Sequence, residues 1–178
     1  MEKFDATAYL EDGNNRQQHA YKLLTGHAVF EILQPYSPLL TGTIPIEIDV
    51  DGSDLDIICC WSNADEFYNL LVNHFSSYPG FSIKRVIIQN KETIIANFHI
   101  EGVEIEIFGQ NIPVKQQEAY RHMIVEYWLL NDNGELFRQK IIKLKQQGMK
   151  TEPAFAKILG LEGNAYDALL SQYETYER

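Results

Sequence analysis

The sequence predicts an α+β fold: a mixed β-sheet flanked by helices, with a helical C-terminal layer. Three observations predict it. Short apolar runs of period two follow one helical segment in the front of the chain. Three β-rich segments then succeed one another between residues 81 and 108, separated only by turns. Everything beyond Pro113 carries helical spacing. At 178 residues and 45% hydrophobic content the chain suits one domain with a substantial core. It is read as a single domain over 1–178, with helix and mixed sheet in 1–112 and the helical part in 113–178.

From Asn15 to Leu33, Ala20, Leu23, Leu24, Phe30 and Leu33 recur at roughly helical spacing, and Pro35 ends the pattern. Leu39 to Ile44 reads as a short strand interrupted by a Thr41-Gly42-Thr43 turn. Ile44 to Val50 alternates as an extended segment, and Pro45 argues against a continuous helix there. Asp51-Gly52 is a turn into the strand Leu55 to Trp61. Ser62 or Asn63 can cap a helix from Ala64 to Phe75, with Asp65 and Glu66 in the first turn where the helix dipole favours negative charge. Pro79-Gly80 closes it. Phe81 to Gln89, Thr93 to Ile100 and Val103 to Phe108 read as an antiparallel meander. Helices are expected over Val114 to Leu130, over Glu135 to Gln147 after Asn133-Gly134, over Pro153 to Leu159 behind a Thr151 cap, and over Ala165 to Tyr173 behind Asn164. Gly148, Gly160 and Gly163 are the stops.

Charge bounds the partners. With 15 Lys and Arg against 25 Asp and Glu, the net charge of −10 argues against non-specific nucleic-acid binding, which rests on many basic contacts to phosphate. The two cysteines, Cys59 and Cys60, are neighbours on a strand and point to opposite faces, so a disulfide between them would be strained; they are expected to be thiols of a reducing cytosol. No run approaches the roughly 20 apolar residues of a membrane span. A cytoplasmic protein is expected.

The candidate chemistry lies in an acidic strand. Asp54 and Asp56 are two residues apart in an apolar run, which puts both on one face. Two like charges against a sheet are costly unless a cation or a shared proton neutralises them, and a divalent metal is the simplest remedy. Glu104 and Glu106 share a face of a later strand; Glu106, nearer the strand end and the Gly109 turn, is favoured as a third carboxylate, with Glu104 second. A calcium loop starting at Asp49 is rejected, because its sixth and twelfth positions are Asp54 and Cys60 rather than glycine and glutamate. Arg121, whose planar fork suits phosphate, and His122 lie on the long helix just beyond. Gln110 and Gln117 could hydrogen-bond a base or sugar, and Lys143, Lys145, Lys150 and Lys157 make the C-terminal part more basic.

Gly42 and Thr43, ten intervening residues, and then Asp54-Leu55-Asp56-Ile57 resemble the signature of the nucleotidyltransferase superfamily, the polymerase beta-like fold. Thr41 and Thr43 depart from its commoner residues. Pro45, standing where many members begin a helix, looks more like the GrpB-like branch. Phe108-Gly109-Gln110, Ala119-Tyr120-Arg121-His122 and Glu152-Pro153-Ala154-Phe155-Ala156 also resemble an uncharacterised bacterial family of unknown function assigned to that fold. The resemblance implies Mg2+ or Mn2+ held by Asp54, Asp56 and Glu106, and a nucleoside triphosphate contacted by Gly42, Thr43, Ser53, Arg121 and His122. It implies transfer of a nucleotidyl group to an unknown acceptor. An inactive nucleotide-binding or regulatory module and a metal-dependent phosphohydrolase are the alternatives.

Overall fold

The structure, a computed structural model, describes residues 2–176. Asn14 starts α1 (Asn15–Gly26) with a capping box: its side chain accepts from the Arg16 and Gln17 N–H groups, and Gln17 Oε1 accepts from Asn14 N at 3.1 Å. The helix expected to run to Leu33 is instead two helices. Ala28 takes a left-handed φ of 53°, which cannot continue an α-helix, and the chain restarts as α2 (Val29–Leu33).

Five strands, β1 (Leu39–Thr41), β2 (Leu55–Cys60), β3 (Ser82–Ile88), β4 (Lys91–Ile100) and β5 (Val103–Gln110), form one sheet in the order β1-β2-β5-β4-β3. β2 and β5 are parallel and the other pairs antiparallel, so the sheet is mixed. A parallel pair needs a long crossover, supplied here by α3 (Ala64–Phe75) and the β3–β4 hairpin. Both hairpins turn on two residues. Gln89 and Asn90 have φ of 49° and 62°, and Glu101 and Gly102 have 52° and 83°, the doubly positive geometry that matches strand twist.

One sheet face forms the core of this region. Leu55, Ile57, Cys59, Ile94, Ala96, Phe98, Ile105 and Ile107 are all buried, and α3 lies against them through Phe67, Leu71 and Phe75. Phe75 stacks on Phe98 with ring centroids 4.8 Å apart. Gly109 of β5 passes so close beneath Phe67 that a Cβ there would lie 2.1 Å from Cε1 of the ring. Asn63 caps α3, accepting from Asp65 N and Glu66 N at 3.0 and 3.3 Å. Cys59 and Cys60 form no disulfide among the described residues, and burial pushes the Cys59 thiol pKa up.

The chain forms two compact units. The sheet, α1, α2 and α3 belong to the first, Met1–Thr41 with Asp54–Val114; the second is Gly42–Ser53 with Lys115–Arg178. In the second unit, residues 44–47 form a turn rather than the expected extended run. Ile48 N donates to Thr43 O at 3.1 Å, Glu47 N donates to Ile44 O at 3.3 Å, and Glu47 is left-handed with φ of 62°. The alternating Ile44, Ile46 and Ile48 are nevertheless all buried. Arg138 donates to the Ile46 carbonyl and, at 3.2 Å, to that of Glu47.

Arg138 belongs to α4 (Glu118–Gln146), which joins the two helices expected on either side of Asn133-Gly134; Gly134 breaks the helical backbone with φ of 73° and ψ of −169°. α5 (Thr151–Leu159) has Lys150 rather than Thr151 at its N-cap, so Thr151 is the first helical residue. Asn164 caps α6 (Ala165–Tyr176) as expected, accepting from Tyr166 N and Asp167 N. The three helices pack on one another, with Phe137 edge-on to Phe155 and Trp128 beside Tyr173. Among the described residues no helix is long and apolar enough to cross a membrane.

Candidate functional site

Residues opposite one another on paired strands share a face. The register sets Thr41 opposite Asp56, Asp56 opposite Glu106, and Glu106 opposite Asn97. A polar row of four side chains therefore crosses β1, β2, β5 and β4 on the face turned away from α3. Thr41 Oγ1 donates to the Asp56 carbonyl at 3.4 Å, and Asn97 Nδ2 donates to Glu106 Oε2 at 3.2 Å. Asp56, Glu106 and Asn97 are half-buried, and so is Asp54, immediately before β2. Glu104 is exposed and lies opposite His99 in the next row.

Half-buried carboxylates side by side, one steadied by an amide donor, are the oxygen donor set a hard divalent cation takes. The carboxylates of Asp54, Asp56 and Glu106 fit magnesium in donor chemistry, and they stand wider apart than the compact set described below. Asn97 carries no catalytic signature of its own in the sequence. Its place is legible there: counting back from the two-residue turn Glu101-Gly102 sets position 97 against position 106.

Gly42, Thr43, Ser53, Arg121 and His122 belong to the other unit. Gly42 directly follows Thr41 and has φ of 80°, a backbone that side chains resist. Ser53 Oγ accepts from Val50 N at 2.9 Å, closing the turn before Asp54. The Arg121 guanidinium sits 5.0 Å above the centre of the Tyr173 ring. Gln110, by contrast, is buried in the sheet unit and donates to Thr93 Oγ1 at 2.9 Å. Of the basic residues, Lys143 and Lys157 line an open groove in the helical unit with Lys140, Leu144, Gln147 and Ile158.

His122 is only 7% exposed and meets the Tyr166 ring edge-on. One helical turn on stands Glu126, 4% exposed, and Glu152 opens α5 nearby. Among the described residues these three form the one set of metal-capable side chains whose ligand atoms all lie within 4.8 Å of one another. Burial raises the Glu126 pKa well above the usual carboxylate range, Glu152 adds to this and Lys145 opposes it. Burial lowers the His122 pKa against the pull of Glu152, Glu118 and Asp167, while Arg121 pushes the same way as burial. Nothing local in the sequence distinguishes Glu126 from a surface glutamate, and Glu152 stands there only within the Glu152-Pro153-Ala154-Phe155-Ala156 motif, with no sign of a ligand role.

A family model described as a domain of unknown function, DUF4269, matches residues 22–172. A search of curated proteins finds no match. Among solved structures, the chain is similar to the GLD-2/RNP-8 complex, with 13% identity, a TM-score of 0.53, and 85% of this chain matched to 62% of that one. It is similar to a Cid1 poly(U) polymerase mutant bound to MgATP, with 12% identity, a TM-score of 0.54, and 92% matched to 53%. It is similar also to the polymerase core of TRAMP, an RNA surveillance complex, with 14% identity, a TM-score of 0.51, and 91% matched to 50%. At these identities the likeness establishes a nucleotidyltransferase-like α+β fold, and the chain spans only part of each neighbour's length.

Proposed function

The chain belongs to the DUF4269 family, and we propose that it is a nucleotidyltransferase that moves a nucleotidyl group from a nucleoside triphosphate to a hydroxyl or phosphate acceptor. The observation that carries this reading is the register that sets Asp56 beside Glu106 on one half-buried sheet face. The fold it shares with a poly(U) polymerase bound to MgATP supports it.

In this reading Asp54, Asp56 and Glu106 hold magnesium or manganese, which would supply charge neutralisation at the phosphates and lower the acceptor's pKa. Asn97 keeps the Glu106 carboxylate turned to its place, and Thr41 ties β1 to the Asp56 backbone. The Gly42 backbone and the Thr43 hydroxyl would receive phosphate oxygens, because a glycine there lets the chain approach an anion closely. The work of the protein is positioning and electrostatic preorganisation. Pro45 within the turn after Gly42, where no helix begins, supports placing the chain with the GrpB-like branch.

The test is transfer from labelled nucleoside triphosphates in magnesium or manganese, with short RNAs and cell-extract acceptors. Label should appear on a second molecule, and Asp56→Asn should reduce its appearance roughly a hundredfold or more. Release of free labelled monophosphate alone would make the protein a hydrolase. Nucleotide binding without turnover would make it a sensor, and either result overturns the transferase reading.

A further inference from the structure

We propose that the helical unit carries a metal site of its own, in which His122, Glu126 and Glu152 hold one divalent transition-metal cation of the zinc type. His122 and Glu126 are four residues apart on α4 and so share a helix face; Glu152 comes from the first turn of α5. Their ligand atoms all lie within 4.8 Å of one another.

Both His122 Nδ1 and Glu126 Oε1 are buried and have no hydrogen-bond partner among the described residues. Orphaned buried polar atoms are costly, and a native interior rarely tolerates two in one place. The three groups thus leave these two atoms unsatisfied, while their ligand atoms stand close enough together to share one cation. A cation bonding each ligand at about 2.0–2.2 Å holds them roughly 3.4 Å apart, which small rotations of two glutamate side chains supply.

The donor set selects the metal. One imidazole nitrogen and two carboxylates suit zinc, manganese or iron rather than magnesium or calcium, which prefer oxygen alone. Three protein ligands leave a coordination position for water. Burial then works for the site: the carboxylates, which burial and mutual repulsion disfavour as bare anions, are neutralised by the ion. Because the ligands come from two helices, the ion would pin the start of α5 to α4.

The test uses the full chain, stripped with a chelator and dialysed against zinc, manganese or magnesium, with metal counted per chain by mass spectrometry. Zinc or manganese should be retained at one ion per chain in preference to magnesium, and zinc should raise the melting temperature. Glu152→Gln, at a half-buried position whose loss leaves the fold intact, should weaken retention at least about tenfold and abolish the thermal shift. Glu126→Gln should do the same. Asp56→Asn should leave zinc retention unchanged, so this site and the proposed nucleotide site fail independently. Retention that is absent for every cation, or unchanged in folded Glu152→Gln, overturns the proposal.

Discussion

At Gly109 a single hydrogen atom lets β5 pass beneath α3. A Cβ there would meet the buried Phe67 ring, which cannot swing away without opening the core formed with Leu71, Phe75 and Phe98. Gly109→Ala should therefore cost about 1–3 kcal/mol, the usual penalty for overpacking, read as a lower urea midpoint with an unchanged slope. Glu126 gives a prediction in pH. Its folded pKa is raised, so the folded chain keeps a proton that the unfolded chain releases above about pH 4.5. The stability from this group is complete below that pH and is lost as pH rises through the raised value. Glu152 facing it deepens the effect, Lys145 reduces it, and His122, whose pKa is lowered by burial, contributes the opposite slope toward acid. In metal-stripped protein, Glu126→Gln should gain in melting temperature relative to wild type from about pH 5 to 8. A constant difference across that range would show that Glu126 is not the titrating group.

At the scale of elements, the segment 42–53 shows where sequence pattern misleads. Ile44, Ile46 and Ile48 alternate like a strand, and burial rewards that alternation equally well in a compact turn. Pro45 lacks an N–H and Glu47 is left-handed, so the segment cannot form a regular ladder. Arg138, over ninety positions later, caps two of its carbonyls. Arg138→Ala should destabilise the chain by about 1.5–3 kcal/mol and speed hydrogen exchange at the Ile48 amide, which donates to Thr43 O. The α3 start was legible at its full extent, because Asn63 is a local signal that needs no tertiary partner. Asn63→Ala should cost about 0.5–2 kcal/mol in thermal melts.

Over the whole molecule, the chain leaves the sheet unit after Thr41, contributes Gly42–Ser53 to the helical unit, returns for β2, and leaves again after Val114. The helical unit is thus discontinuous in sequence. A fragment of residues 115–178 would lack the segment that Arg138 caps, and it should fail to unfold cooperatively, whereas the full chain should show a sharp transition. If the proposed nucleotide site is formed, MgATP at 100 times its dissociation constant should add about 2.7 kcal/mol to stability, and Asp56→Asn should remove that gain.

The α+β class, the α3 helix from Ala64 to Phe75, the three-strand meander and the Asn164 cap were legible in the chain alone, because they rest on local periodicity, capping and turn chemistry. The hairpin turn Glu101-Gly102 even contained the pairing of Asn97 with Glu106. Folding in three dimensions is what sets β2 beside β5, joins Gly42–Ser53 to the helices, and brings Glu126 and Glu152 within reach of His122. The reason is physical: parallel pairing and side-chain burial depend on contacts between residues far apart in the chain, and an isolated glutamate carries no mark of the environment that will surround it.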